Sequence, residues 1–212
     1  MVPGYKLKMM NEGVDVMKKY DMKLDAFAGL YRITALRSFA DVKAGDDGGL
    51  IEYEANLSHE GNCWVYYNAQ VTGNAKVSGN AKVSGKAWVS GDAWVFGNAQ
   101  VSGDARVSGY AQISGDALVF DNALVTGNAR VSDNAKVSGK AWAFDDARVF
   151  GDAMVFGDAM VFGNCWVSGN CWVSGNAQVS DNARVSGNAR VSGNCWVSGD
   201  ARVSGNARVS GN

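Results

Sequence analysis

Proline and histidine are almost absent from the 212-residue chain, which contains only Pro3 and His59 of these two types. Glycine is frequent, with 27 residues, but a collagen helix needs glycine at every third position together with much proline, so collagen is excluded. No apolar run approaches the roughly 20 residues of a membrane span. Charged residues also interrupt the N-terminus before an apolar signal-peptide core forms. We therefore expect no membrane partner and a cytoplasmic, reducing location.

Excess charge of one sign is absent too. The chain has 20 Lys and Arg residues against 21 Asp and Glu residues. A protein that binds duplex DNA or an anionic membrane by electrostatic attraction would carry a clear basic excess. The balance predicts a nearly neutral surface and no duplex DNA partner.

The dominant feature of the sequence is a repeat of six residues. Residues 61–210 form 25 consecutive hexapeptides without insertion or deletion, with the consensus Gly-Asn-Ala-x-Val-Ser. The Val position departs from Val only at Ile113 and Ala143. The small position, two residues earlier, is Ala except where it is Cys, at Cys63, Cys165, Cys171 and Cys195. Such a period is typical of solenoids.

Each hexapeptide predicts one short strand and one corner. The Val and the small residue lie two positions apart, so they share one face of an extended segment and can both point inward. The residues on either side of Val point outward. The Gly-Asn or Gly-Asp pair turns the chain, because Gly, Asn and Asp tolerate positive φ. A single repeat cannot bury its Val, but stacked coils can.

Rewritten as Val-Ser-Gly-Asn-Ala-x, the repeat resembles the hexapeptide family of left-handed parallel β-helices. The resemblance implies three hexapeptides, or 18 residues, per coil. We therefore predict an all-β, single-stranded left-handed parallel β-helix of about eight coils with a small N-terminal cap. A right-handed, bactofilin-like solenoid is the alternative fold.

The segment before the array does not repeat. It reads Leu-Tyr-Arg-Ile-Thr-Ala-Leu at 30–36 and Phe-Ala-Asp-Val-Lys-Ala-Gly-Asp-Asp-Gly-Gly at 39–49. This stretch resembles the head of uncharacterised hexapeptide proteins of phages and prophages, some of which are labelled acyltransferases. We expect a leader or disordered segment at 1–16, a capping segment at 17–60 and the solenoid at 61–212. The resemblance also implies a virion-associated location if the protein is structural.

The four cysteines predict neither a disulfide nor a metal site. Each fills the inward small position, and with 18 residues per coil their corners do not bring any two within the roughly 7 Å that a disulfide needs. We expect four buried free thiols in positions of alanine size.

His59 raises the possibility of catalysis, because many hexapeptide acyltransferases use a histidine beside their coils. Those enzymes also extrude a loop that builds the acceptor site, and this array has neither a histidine nor such a loop. We predict no catalytic residue and no cofactor, and keep an acyltransferase as the alternative function.

The outward positions carry two notable groups when they are sorted by 18 residues. One, named here the apolar patch, should lie on one wall in three successive coils. It indicates either an interface, for self-association or for a host or phage protein, or a ladder of side chains that stabilises the coils. Its members are Leu124, Trp142, Phe144, Met160 and Phe162.

The second group, named the arginine ladder, lies on another wall. Aromatic and basic side chains together suit a glycan or a polyanion. Its members are Arg130, Arg148, Trp166, Arg184 and Arg202. We predict a non-catalytic solenoid that acts in structure, assembly or binding and is derived from a phage or prophage, with glycan or polyanion binding as a further alternative.

Overall fold

A computed structural model describes residues 18–211. The expected leader at 1–16 lies outside the described residues. The elements before the array are β1 Tyr20–Asp25, β2 Leu30–Ala35, β3 Asp47–Ile51 and a 3-10 turn at Glu54–Asn56. The array strands are β4 Trp64–Val65, β5 Gln70–Val71, β6 Lys76–Val77, β7 Lys82–Val83, β8 Trp88–Val89, β9 Trp94–Val95, β10 Gln100–Val101, β11 Arg106–Val107, β12 Gln112–Ile113, β13 Leu118–Val119, β14 Leu124–Val125, β15 Arg130–Val131, β16 Lys136–Val137, β17 Trp142–Ala143, β18 Arg148–Val149, β19 Met154–Val155, β20 Met160–Val161, β21 Trp166–Val167, β22 Trp172–Val173, β23 Gln178–Val179, β24 Arg184–Val185, β25 Arg190–Ser192, β26 Trp196–Val197, β27 Arg202–Val203 and β28 Arg208–Ser210.

These strands form a three-sided parallel β-solenoid, which confirms the predicted architecture. Every third strand pairs in parallel at a separation of 18 residues, as Gln100 does with Leu118 and Leu124 does with Trp142. Wall 1 is the 11-stranded sheet that contains β5, β8 and every third strand on to β26; wall 2 is the 8-stranded sheet from β6 to β27; wall 3 is the 9-stranded sheet from β4 to β28. The left hand of the winding, which the resemblance implies, stays a prediction.

The interior is lined by the Val position and the small position, as the repeat predicted. From Cys63 to Val191 every residue at these two positions is buried, with at most 1% of its surface exposed. All four cysteines are buried free thiols. Since each coil contributes three Val and three small side chains, the core is one continuous column through the array.

The corners explain why Gly or Asp occupies the first position of every pair in residues 61–210 except at Tyr67, whose φ is 53°. That position has a positive φ throughout, for example 68° at Gly85 and 59° at Asp121. Aspartate tolerates this conformation at Asp121 because its Oδ2 accepts a hydrogen bond of 3.1 Å from the backbone N–H of Gly139 in the next coil. Side chains at the second position form hydrogen-bonded ladders from coil to coil. The side-chain amide of Asn80, for example, donates to Asn98 Oδ1 in the next coil at 3.0 Å.

The segment before the array extends wall 1 over the first coil. β1 pairs with β2 and β2 pairs with β3, both antiparallel, whereas β3 pairs with β5 in parallel. Leu57 then forms a parallel bridge with Val77 on wall 2. This segment therefore adds part of one further turn to the slightly more than eight coils of the array.

The residues on either side of Val are expected to point outward and so to face solvent, and this expectation is wrong for Trp64, which precedes Val65. Its side chain is 1% exposed, because Tyr20 and Phe39 pack edge-on against the indole with ring centroids 6.1 and 5.4 Å away. The other six tryptophans are exposed. Trp64 belongs to the first coil, where the segment before the array covers wall 3. In the described part of the chain, no helix is long and apolar enough to span a membrane.

Candidate interaction surfaces

The apolar patch is contiguous on wall 1. Its residues lie on or directly after β14, β17 and β20, which are hydrogen-bonded neighbours in that order. Phe144 and Phe162 stack with ring centroids 4.9 Å apart and planes 4° from parallel, and Trp142 meets Phe144 edge-on at 6.3 Å. The indole of Trp142 is 46% exposed. The side chains thus stack on one another and still present apolar surface to solvent.

Cationic side chains leave Trp142 uncovered, in contrast to Trp166 and Trp172 in nearby coils of the other two walls. Among residues 18–211, guanidinium groups lie over Trp166 on wall 2 and over Trp172 on wall 3, and none lies over Trp142. On wall 3, Lys136 also separates Leu118 from Met154. Wall 1 therefore carries the longest unbroken run of apolar outward residues of the three, over three successive coils.

The arginine ladder on wall 2 is a cation–π sandwich. The guanidinium groups of Arg148 and Arg184 lie 5.3 and 4.9 Å from the centroid of Trp166, one from each neighbouring coil. Arg130 and Arg202 extend the rank by one coil in each direction. None of the four arginines forms an ion pair within residues 18–211. The indole separates like charges, and the arginines keep donors that face solvent.

Two shallow hollows flank Trp166. One of about 310 Å³ is lined by Arg130, Ser132, Arg148 and Phe150 as well as the indole. The other, of about 510 Å³, lies on the opposite side and includes Asp200 beside Arg202. The first hollow has basic and aromatic lining without a carboxylate, so it suits an anionic or sugar group better than the second does.

His59 is held by groups of the segment before the array. Its Nδ1 accepts a hydrogen bond of 3.1 Å from the backbone N–H of Lys19, and its Nε2 lies 3.0 Å from Glu54 Oε1. The ring stacks on Tyr20 with centroids 4.3 Å apart. Since a backbone donor occupies Nδ1, the neutral ring carries its proton on Nε2 and donates it to Glu54. Both ring nitrogens are therefore engaged in structural contacts.

A groove of about 670 Å³ runs beside His59, between the segment before the array and wall 2. Glu54, Leu57, Lys76 and Trp94 also line it. Hydrogen bonds from Lys18 and His59 hold the pKa of the Glu54 carboxyl below its usual range. Glu54 is consequently an anion that orients His59 and not a proton donor at neutral pH.

A buried lysine, which the residue pattern does not predict, lies beneath this site. Lys19 is fully buried, and its Nζ donates to Cys63 O at 2.9 Å and lies 3.2 Å from Cys63 Sγ. Burial lowers the pKa of Lys19 and raises the pKa of the Cys63 thiol. In the sequence, Lys19 directly follows Lys18 and looks like another surface lysine. Only its contacts with Cys63, 44 residues away, show that it is buried.

Comparison with known proteins bears on the repeat. A family model described as YdcK Beta solenoid repeat matches residues 99–111, 111–127, 177–187, 183–199 and 201–212. Part of the chain is 51% identical over 37 residues to the uncharacterized acetyltransferase YdcK of Escherichia coli (strain K12). These 37 residues are 18% of this chain and 11% of that relative.

The matched family ranges lie within the array, and they confirm the solenoid repeat that the hexapeptides predicted. The chain spans only 11% of the length of the curated relative. Acetyltransferase activity is therefore stated only in the name of that protein, and for this chain it is a candidate function.

Proposed function

We propose that this chain is a non-catalytic β-solenoid that acts by binding or assembly, with wall 1 as its docking surface. The observation that carries the proposal is the exposed apolar patch, whose central indole is 46% exposed and uncovered by any cation in the described chain. Apolar surface that is both contiguous and exposed marks interfaces in soluble proteins. Tryptophan and phenylalanine also supply much of the binding energy where they occur at interfaces. A phage or prophage origin, implied by the head resemblance, belongs to this proposal.

The experiment compares two double variants that change the same residue types on different walls. Trp142→Ser/Phe162→Ser removes the centre of the apolar patch, and Trp172→Ser/Phe156→Ser is the matched control on wall 3. The first variant should lose association, measured by light scattering of the purified chain and by binding to any identified partner protein. The control should keep it. Unchanged association in the first variant contradicts the proposal.

The arginine ladder supports a second candidate function, the binding of a polyanion or an acidic glycan. Four arginines without ion pairs in the described chain flank one indole, and an acid-free hollow of about 310 Å³ lies between Arg130 and Trp166. Binding of heparin or single-stranded nucleic acid should weaken as salt rises, because arginines release counterions from the polymer. An Arg148→Ala/Arg184→Ala variant that binds as wild type would exclude this function.

The relative's name favours an acyltransferase as the alternative enzyme class, and the groove beside His59 is where we place that candidate. Acyl-CoA should then raise the melting temperature of the chain by binding to the folded state. Our proposal predicts no shift. A clear shift that His59→Ala abolishes would replace the binding function with the enzyme.

A further inference from the structure

We infer that the occupant of wall 1 is wall 1 of a second copy of this chain, in a parallel dimer. The two solenoids would point in the same direction and be related by a two-fold axis parallel to their length. This inference rests on the proposed function, because it names the partner of the same surface. The dimer is supported by the charged residues at the two edges of wall 1, none of which belongs to the apolar patch.

The two-fold axis fixes which residues meet. A contact of this symmetry is self-complementary, so each strand of wall 1 lies opposite the same strand of the partner with its direction across the wall reversed. The corner that precedes a strand therefore meets the corner that follows the same strand in the partner. The residue before Val in one copy likewise lies opposite the residue after the same Val in the other copy.

Both lysines at the preceding edge of wall 1 then lie opposite aspartates. Lys86 precedes β8 and Asp92 follows it, while Lys140 precedes β17 and Asp145 and Asp146 follow it. All five side chains are exposed. Neither lysine forms an ion pair within residues 18–211. Two copies would thus make each lysine–aspartate pair twice.

The remaining aspartates at these edges all lie opposite neutral hydrogen-bonding groups. Each meets a tyrosine or asparagine that can donate to its carboxylate, so no like charges face each other along the wall. The opposed positions are Asp104 with Tyr110, Asp121 with Asn128, Asp158 with Asn164, Asp181 with Asn176 and Asp200 with Asn194.

The other two walls bring like charges into opposition in the array, although wall 3 also places Asp133 opposite Lys140 across β16. The same operation on wall 3 places Asp116 opposite Asp121 across β13 and Asp152 opposite Asp158 across β19. On wall 2 it places Asp146 opposite Asp152 across β18. Like charges in direct opposition oppose association. Edge charge therefore selects wall 1, which is also the wall with the apolar patch.

The outward positions of wall 1 fit the same arrangement. Trp142 lies opposite Phe144 of the second copy and Met160 lies opposite its Phe162, so the apolar patches meet. In the coils beyond the patch a large side chain meets a small one, as with Trp88 and Ser90 or Trp196 and Ser198. An antiparallel dimer centred on Trp142 would instead bring Lys140 of one copy against Lys140 of the other.

Charge reversal at one pair tests the arrangement with the full chain. Lys140→Asp and Asp146→Lys should each weaken self-association about tenfold, because each homodimer then contains two like-charge pairs. An equimolar mixture of the two variants should recover wild-type association, because the heterodimer contains only opposite-charge pairs. The double variant Lys140→Asp/Asp146→Lys should also recover it. Sedimentation velocity gives the dissociation constants, and Lys136→Asp on wall 3 is the control that should leave them unchanged.

Lys86→Asp and Asp92→Lys form a second, independent pair in case one variant fails to fold. Loss of association in single variants without recovery on mixing would overturn the parallel dimer. A wild-type chain that stays monomeric, but needs Trp142 and Phe162 to bind another protein, would overturn the dimer and leave the proposed function intact. Association that survives Trp142→Ser/Phe162→Ser would overturn both.

Discussion

Single positions in the hexapeptide decide which side chains are core and which are surface. The small position accepts cysteine in place of alanine without leaving the interior, since Cys165 and Cys171 are fully buried. Burial disfavours the thiolate and raises the pKa of Cys165 to about 12 and that of Cys171 to about 11. These thiols are core side chains, and their chemistry appears only when the fold opens.

These two thiols should make the solenoid lose stability at alkaline pH. A folded pKa above the unfolded value of about 8.5 means that the stability is complete below pH ~8.5 and falls as pH rises towards the folded values. The loss should be about 1.4 kcal/mol per pH unit for each thiol. Urea unfolding of Cys165→Ala/Cys171→Ala between pH 8 and 11 should therefore show a shallower decline than wild type. Parallel declines would contradict the assignment.

Ala143 interrupts the valine column beneath the apolar patch. It is fully buried and pairs with Val125 and Val161 in the adjacent coils of wall 1. Ala143→Val should restore two methyl groups to the core and raise the free energy of unfolding by about 1–2 kcal/mol. The reverse change, Val161→Ala, should lower it by a similar or larger amount. A lower melting temperature for Ala143→Val would show that neighbouring side chains already fill this space.

At the scale of elements, the segment before the array is joined to the coils by backbone pairing and by aromatic packing. β3 continues the hydrogen bonding of wall 1 onto β5, while Tyr20 and Phe39 cover Trp64. Gly48 permits the close approach, since a side chain there would meet the indole of Trp64 at 2.7 Å. The segment before the array and the first coil therefore pack together as one unit.

Trp64 should consequently be the tryptophan that matters most for stability. Trp64→Ala should cost about 3–5 kcal/mol, because it opens a cavity between the segment and the first coil. Trp172→Ala is the control, since that indole is exposed and contacts Arg190 and Phe156 on the outer face of wall 3. Urea unfolding measures the free energies, and limited proteolysis should cut residues 18–60 first in the Trp64 variant. Equal effects of both substitutions would contradict the buried role.

The array was predictable from sequence and the segment before it was not. The hexapeptide fixes strand, corner and inward face, so the positions of Trp142 and Phe162 followed from counting by 18. Trp64 has the same place in its hexapeptide as Trp142, and only the fold of residues 18–60 buries it. The sandwich around Trp166 was likewise beyond the pattern, because repeats give the position of a side chain but not its rotamer.

At the scale of the whole molecule, the solenoid turns a repeating sequence into three flat walls with different chemistry. Wall 1 presents apolar groups and wall 2 presents arginines around an indole. Wall 3 presents both apolar and basic side chains, and Lys136 interrupts its run of apolar residues. Because the backbone is nearly the same on all walls, differences in binding must come from the outward side chains. This makes one wall a matched control for another.

Hydroxyl-radical footprinting of the associated wild-type chain tests most directly whether wall 1 is the docking surface. Met160 on wall 1 and Met154 on wall 3 are partly exposed and lie in identical hexapeptides, Gly-Asp-Ala-Met-Val-Phe. We predict that Met160 and Trp142 become protected from oxidation as the complex forms, while Met154 and Trp172 keep the reactivity of the dissociated chain. Equal oxidation of Met160 and Met154 in the complex, or protection of Met154 alone, would contradict the account.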